Sequence, residues 1–319
     1  MNSTSEVLEE RLLKGRDVLT WGDYTSSEIE QLLESAAQLK EKQQKGIPHQ
    51  PLAGRSLGMI FENASTRTRV SFEVGMTQLG GHALFLSSAD LQIGRGEPIQ
   101  DTAKVLSRYI DGLIIRANDH EKVKHLAESS DVPVINALTD LYHPCQALAD
   151  MLTIQEHKGS LKGRKIVYVG DGNNVAHSLM IIAAKLGLNI TLSTPEGYEG
   201  TESIWTEAKK IAMETGSKVE HVVNPKEAVK DADVIYTDVW VSMGAEKEEE
   251  ERGKVFERYQ VDETLMSLAD TEAIFMHCLP AHRGEEVSSA VIDGPHSVVY
   301  EQAENRLHVQ KAILQAVFK

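Results

Sequence analysis

The sequence predicts an α/β protein of two domains, each a mostly parallel sheet with helices on both faces. Three observations carry this. Short apolar runs of strand length, at residues 57–61, 112–116 and 165–169, are interleaved with stretches of helical spacing. Several of these runs are near-continuous rather than alternating, as in strands covered on both faces. The chain has 319 residues, about two domains' worth, and the break at 159–163 precedes a second strand–helix series.

Taken in order, Thr25 and Glu28 give the T-x-x-E form of a capping box. Ile29, Leu32, Leu33, Ala36, Ala37 and Leu39 follow at helical spacing, which predicts a helix over 26–43. Gly46, Pro48 and Pro51 form the next loop, and 56–62 reads as the first strand. The segment after Ser65 carries two patterns. Val70, Phe72, Val74 and Met76 alternate as in a strand, yet Val70, Val74 and Gln78 also line up at helical spacing before a Gly80-Gly81 stop. Periodicity does not choose between them; the neighbouring strand–loop–helix rhythm favours a helix. Further on, 82–86, 112–116 and 132–137 read as strands, and 101–110 and 147–155 as helices. In the second series 165–169, 190–193, 219–223, 234–238 and 274–279 read as strands, 178–186 as a helix, and 297–300 as a last strand. An amphipathic helix over 303–318 ends the chain, and the charge run at 246–254 reads as a solvated surface.

Composition narrows the function. Hydrophobic residues make up 41% and charged residues 25%, an ordinary globular mix. A net charge of −15 repels nucleic acid and anionic membrane, which excludes both as main partners. An anionic small substrate would need a local basic pocket. No apolar run is long enough to span a bilayer. The first residues carry Glu6, Glu9 and Glu10, unlike a secretory signal or an Arg-rich transit peptide. Two cysteines far apart, Cys145 and Cys278, point to a reducing compartment, so a cytoplasmic location is expected.

Ser65-Thr66-Arg67-Thr68-Arg69 follows the first strand with three hydroxyls and two guanidiniums. That set suits a tetrahedral oxyanion at a helix N-terminus, though the same residues also make a polar turn. Val169-Gly170-Asp171-Gly172-Asn173-Asn174-Val175 has the first half of G-x-G-x-x-G, but Val175 stands at the third glycine position and the acidic residue after the next strand is missing. A tight turn at the sheet edge explains those glycines better than a dinucleotide site. Polar clusters also follow other strands: Arg116, residues 143–146, 173–174, 238–244 and 277–283. Singly, His143 reads as a turn histidine, Cys278 as a small core residue and Met243 as a gap filler. Together they mark the carboxyl edge where open α/β sheets bind ligands.

Those clusters, S-T-R-T-R at 65–69, H-P-C-Q at 143–146 and H-C-L-P-A-H-R-G at 277–284, resemble the transcarbamoylase superfamily. D-x-x-x-S-M-G at 238–244, together with H-C-L-P, resembles its ornithine branch rather than its aspartate branch. The resemblance covers essentially the whole chain. It implies transfer of a carbamoyl group from carbamoyl phosphate to the δ-amine of L-ornithine, giving L-citrulline and phosphate. It implies a carbamoyl-phosphate domain over 1–148, to which a C-terminal helix at 303–319 returns, and an ornithine domain over 149–302. By the same resemblance Ser65, Thr66, Arg67 and Thr68 cradle phosphate, Arg116 and His143 act on the carbonyl oxygen, and Gln146 and Arg283 hold the carbamoyl end. Carbonyls near Cys278 and Leu279 accept from the carbamoyl NH₂, and the Leu279–Pro280 peptide is cis. Asn174, Asp238, Ser242 and Met243 hold ornithine, with Cys278 beside its δ-amine, either orienting it or helping to take its proton. Gln92 is implied to reach a neighbouring subunit's site, hence a homotrimer or a multiple of trimers; Pro98 stands where many relatives carry a serine.

No cofactor and no metal is expected, because donors that meet the developing charges suffice for the reaction and no ligand set at metal spacing is seen. Three other readings stand beside this one: a different acceptor (N-acetylornithine, N-succinylornithine or putrescine), a nicotinamide-dependent oxidoreductase using 170–175, and a non-catalytic relative that keeps the fold for assembly. An intact Ser-Met-Gly loop argues against putrescine, which has no carboxylate. Asp238 argues against acylated ornithines, which have no α-ammonium.

Overall fold

The computed structural model describes residues 13–89, 91–241 and 249–318. The chain divides into two compact units. Unit 1 takes the chain up to Asp23, Ser27–Cys145 and everything from Arg306 onward; unit 2 takes Tyr24–Ser26 and Gln146–Asn305.

Unit 1 contains α1 (Ser26–Gln44), β1 (Ser56–Phe61), α2 (Thr66–Gln78), β2 (His82–Ser87), α3 (Ile99–Leu106), β3 (Gly112–Arg116), α4 (His120–Ser129) and β4 (Val134–Leu138). Its sheet has the order β2-β1-β3-β4, with every pair parallel. The residues after Ser65 form a helix. Its buried face is Thr68, Phe72, Gly75 and Met76, while Val70 and Val74 point outward, so the strand-like alternation came partly from surface valines.

Helix α5 (Pro144–Lys158) starts beside the unit boundary. Unit 2 continues with β5 (Lys165–Val169), α6 (Asn174–Lys185), β6 (Asn189–Ser193), α7 (Glu202–Thr215), β7 (Val219–His221), α8 (Pro225–Ala228), β8 (Val234–Thr237), α9 (Glu249–Phe256), α10 (Glu263–Met266), β9 (Ile274–His277) and α11 (Ser289–Ile292). Its sheet runs β7-β6-β5-β8-β9, again all parallel. Strands β5, β6, β8 and β9 are buried on both faces, which explains their continuous apolar sequences, whereas the edge strand β7 is mostly exposed. The expected strand at 297–300 does not form. Ser297 makes one isolated bridge to Phe275, and α12 (Val299–Phe318) begins two residues later. Helices α4 and α7 were not anticipated, and α9 overlaps the charge run.

Helix α12 begins in unit 2 and its second half lies in unit 1, as the returning C-terminal helix required. Glycines let it seat closely. A Cβ at Gly112 would fall 2.2 Å from the Phe318 ring, and one at Gly75 would fall 3.2 Å from Lys311 Cγ. Lys311 Nζ donates to Gln43 Oε1 at 2.7 Å and to Gln78 Oε1 at 2.9 Å, tying α12 to the ends of α1 and α2. Among the described residues no helix is long and apolar enough to cross a membrane.

In both sheets the strand order reverses once. The switch lies between β1 and β3 in unit 1, and between β5 and β8 in unit 2. Side chains just past those strand ends are where a doubly wound sheet leaves a crevice. The glycine turn after β5 has a different use from nucleotide binding. Gly172 N donates to Tyr198 O at 2.9 Å, and a Cβ at Gly172 would lie 2.4 Å from Glu199 C. The second glycine therefore admits a crossing segment of backbone. Gly172→Ala should cost roughly 1–3 kcal/mol through overpacking, read as a lowered midpoint in thermal unfolding of about 2–4 °C per kcal/mol.

Candidate active site

In unit 1 the site is built at the β1/β3 switch. Ser65 is the N-cap of α2, its Oγ accepting from Thr68 N at 3.3 Å. The cap fixes the first turn, whose backbone N–H groups have no intrahelical acceptor and carry the positive end of the helix dipole. Thr66 is exposed, Arg67 is half-buried, and Thr68 is buried. Arg69 turns elsewhere: it pairs with Glu73 at 3.1 Å and lies 3.8 Å over the Phe85 ring. Arg116 is the last residue of β3 and is half-buried.

His143 precedes α5 in a turn held from several sides. Thr139 N donates to Tyr142 O at 2.9 Å, Tyr142 N to Thr139 Oγ1 at 3.2 Å, and Trp21 Nε1 to Pro144 O at 2.8 Å. The His143 ring is buried, and its pKa is driven well below the usual histidine range, first by burial and then by Arg306, Arg116 and Arg67. It is neutral at physiological pH. Arg306 was missed in the sequence. It lies in α12, is buried, and donates from Nη2 to Thr68 Oγ1 at 3.0 Å. In an amphipathic helix it reads as a surface charge, and its neighbours Glu304, Asn305 and His308 give no local signal of burial. Gln92 is exposed, in a 3₁₀ turn at Gln92–Arg95.

Unit 2 holds the other candidates. Asp238 follows β8 and is buried. Its Oδ1 accepts from Cys278 Sγ at 3.1 Å and its Oδ2 from Asn173 Nδ2 at 2.8 Å. Asn173 caps α6, its Oδ1 taking Val175 N at 3.0 Å and Ala176 N at 3.2 Å. The Tyr168 hydroxyl reaches the same oxygen at 3.2 Å. Burial, then Asp238 and Asp171, hold the Tyr168 phenol far above its usual pKa, so it donates. Asn174 is half-buried in the first turn of α6. Ser242 and Met243 lie outside the described residues.

Cys278 and Leu279 follow β9. The Leu279–Pro280 peptide is cis, as the resemblance implied, and Leu279 has φ +58°. His277 supports this bend. Leu279 N donates to His277 Nδ1 at 2.8 Å, so the ring proton sits on Nε2 and is given to Glu286 Oε1 at 3.1 Å. Glu286 also takes His282 N at 2.6 Å. Both side chains are fully buried, and sequence reading missed Glu286 because it sits in an acidic pair that reads as surface. Ligand atoms of Asp238, His277 and Cys278 lie close enough together to suggest a metal set, but the Nδ1 lone pair of His277 is already used by Leu279 N–H. Arg283 is exposed and forms a two-pronged pair with Asp293, Nε to Oδ2 at 3.0 Å and Nη2 to Oδ1 at 2.7 Å. Gln146 is buried in unit 2, its Nε2 donating to Asp150 Oδ1 at 2.8 Å.

Two family models match the chain: aspartate/ornithine carbamoyltransferase, carbamoyl-P binding domain, over residues 16–156, and aspartate/ornithine carbamoyltransferase, Asp/Orn binding domain, over 162–317. The ornithine carbamoyltransferase of Halalkalibacterium halodurans is 63% identical over 305 residues, 96% of each chain. The solved ornithine carbamoyltransferase of Pyrococcus furiosus superposes with a TM-score of 0.94 at 58% identity, covering 96% of this chain and 98% of that one. That of Gloeobacter violaceus gives a TM-score of 0.87 at 45% identity, covering 96% and 99%.

The two thiols differ in environment. Burial pushes Cys145 up to about 12, whereas Cys278 is partly exposed. Thiol titration of the native protein with a disulfide reagent at pH 8 should therefore modify Cys278 alone. Cys278→Ser should abolish the native reaction and leave Cys145 to react only after denaturation.

Proposed function

The chain belongs to the aspartate/ornithine carbamoyltransferase family, and from that premise we infer that it is an ornithine carbamoyltransferase, moving the carbamoyl group of carbamoyl phosphate to the δ-amine of L-ornithine to give L-citrulline and phosphate. The observation that carries the donor half is the set of three guanidiniums, Arg67, Arg116 and Arg306, around a buried neutral imidazole beside a capped helix N-terminus. Phosphate is a dianionic leaving group, and such a set stabilises the charge it gains.

In this reading the N–H groups of Thr66 to Thr68, the hydroxyls of Ser65, Thr66 and Thr68, and the Arg67 fork hold the phosphate. Arg306, fixed on Thr68, joins them. Arg116 and neutral His143 donate to the carbonyl oxygen as it gains negative charge. Gln146 and the Leu279 carbonyl hold the carbamoyl NH₂. Arg283 keeps a place at the carbamoyl end only if it leaves Asp293. Asp238 pairs with the α-ammonium of ornithine, with Asn174, Ser242 and Met243 around the amino-acid end. The δ-amine must lose a proton before it attacks. Because Cys278 donates its thiol proton to Asp238, the thiol orients the amine rather than acting as the ready base. The carbamoyl-phosphate half is assigned to 1–148 with 303–319, and the ornithine half to 149–302. The two cysteines, both free, support a cytoplasmic setting.

The homotrimer reading has its own support. β2 is an edge strand that exposes Leu84 and Phe85, and α2 exposes Val70 and Val74. An uncovered apolar edge is a liability that a second copy removes, and Gln92 is exposed in the same unit.

A citrulline assay at fixed carbamoyl phosphate tests the function. Ornithine should be turned over, and putrescine and N-acetylornithine should give little product; preference for either of the latter would overturn the acceptor assignment. In the same assay Arg67→Ala or Arg306→Ala should lower kcat by roughly 10²–10³ or more, as for other lost transition-state donors. Phe85→Glu should convert a trimer to monomer in light scattering and reduce activity with it.

A further inference from the structure

We propose that Asp150 is a positioning residue that makes Gln146 a hydrogen-bond acceptor, and that this sets the preference for a carbamoyl over an acetyl donor. The proposal rests on the reading above in which Gln146 holds the carbamoyl end.

Asp150 is fully buried in α5, one helical turn beyond Gln146. Its Oδ1 receives two amides: Gln146 Nε2 at 2.8 Å and Gln302 Nε2 at 2.7 Å. In both bonds the amide donates and the carboxylate oxygen accepts. Each glutamine must therefore turn its NH₂ toward Asp150 and present its carbonyl oxygen at the opposite end. Gln302 displays the consequence: its Oε1 accepts His277 N at 3.0 Å, just before the Cys278–Leu279 bend. Its Nε2 also lies 3.0 Å from the Tyr236 hydroxyl. Burial, and after it Asp150, keep that phenol far above its usual pKa, so it remains a neutral group beside the carboxylate.

The same logic applies to Gln146. A side-chain amide offers a donor and an acceptor of nearly equal shape, and an unconstrained glutamine could show either. With Asp150 in place the acceptor end is the one directed away from the carboxylate. Carbamoyl phosphate carries NH₂ on its carbonyl, whereas acetyl phosphate carries a methyl group of similar size and cannot donate. A fixed acceptor accordingly takes a hydrogen bond from the first that the second cannot give. Asp150 touches neither substrate. It acts through Gln146, and through Gln302 it braces the start of the Cys278 bend as well.

The test measures KM for carbamoyl phosphate and the inhibition constant of acetyl phosphate, in wild type and in D150N. The asparagine preserves shape but can donate as well as accept, so Gln146 loses its enforced orientation. D150N is expected to raise KM for carbamoyl phosphate on the order of tenfold, the scale of one neutral hydrogen bond, with the acetyl phosphate constant moving less than twofold. The ratio of the two constants does not depend on how much protein is folded; D150S, read the same way, serves if D150N is insoluble. Equal shifts in both constants, or no shift in either, would overturn the proposal. Gln146→Met separates the two layers. If it loses the discrimination while D150N keeps it, the positioning role fails and the Gln146 reading stands. If Gln146→Met keeps the discrimination, the Gln146 reading itself fails.

Discussion

Three guanidiniums share the neighbourhood of one buried imidazole in unit 1, and the local structure follows from holding those like charges together. Each is carried by a different element. Arg67 sits in the first turn of α2, Arg116 ends the buried strand β3, and Arg306 comes from the buried half of α12. Like charges in one neighbourhood repel one another. Rigid, separately anchored stems keep them from spreading apart. The Thr68 hydroxyl accepts from Arg306 while Ser65 caps the same turn. In the proposed reading, this local positive cluster is what lets a chain of net charge −15 take a phosphate dianion. Neutral His143 belongs to the same economy of charge: a proton there would add a fourth positive centre, while the neutral ring still donates a hydrogen bond.

Much of this fold was legible because parallel strands covered on both faces must be apolar throughout. The runs at 57–61, 112–116 and 165–169 stand out for that reason. The polar residues after them were readable as a site because open α/β sheets bind ligands at the carboxyl ends of their strands. What was illegible has physical causes. Val70 and Val74 are apolar and exposed, so only Phe72 and Met76 of the strand-like alternation belong to the core face of α2. Arg306 lies 238 residues from the threonine it binds, and no local pattern separates a buried guanidinium from a solvated one. Ser297 touches the sheet at one bridge only, too brief for a strand. Arg283 sits in a recognisable motif, yet its fork is closed on Asp293; motif membership fixed its position in the chain and not the direction of its side chain. The glycines at 170 and 172 resembled a nucleotide turn because both uses require a backbone without a side chain. In this chain Gly170 takes φ +136°, and the group that closely approaches Gly172 is residues 198–200.

Unit 2 faces the opposite electrostatic task. In the proposed reading ornithine brings ammonium groups to Asp238, so that carboxylate has to be held without being neutralised. An arginine partner would hold Asp238 and cancel its charge. Its partners are instead an amide and a thiol, both neutral, one on each oxygen. The amide is itself oriented: the Tyr168 phenol and two backbone N–H groups claim the oxygen of Asn173, which forces its NH₂ toward Asp238. Asp150 works on Gln146 in the opposite sense, a carboxylate claiming the NH₂ and so setting the direction of the oxygen. An amide is ambiguous by nature, and in both cases a buried group of fixed polarity removes the ambiguity. What the fold contributes to such a site is therefore the sense of each hydrogen bond as well as the location of each atom, and a residue that never meets a substrate can decide it.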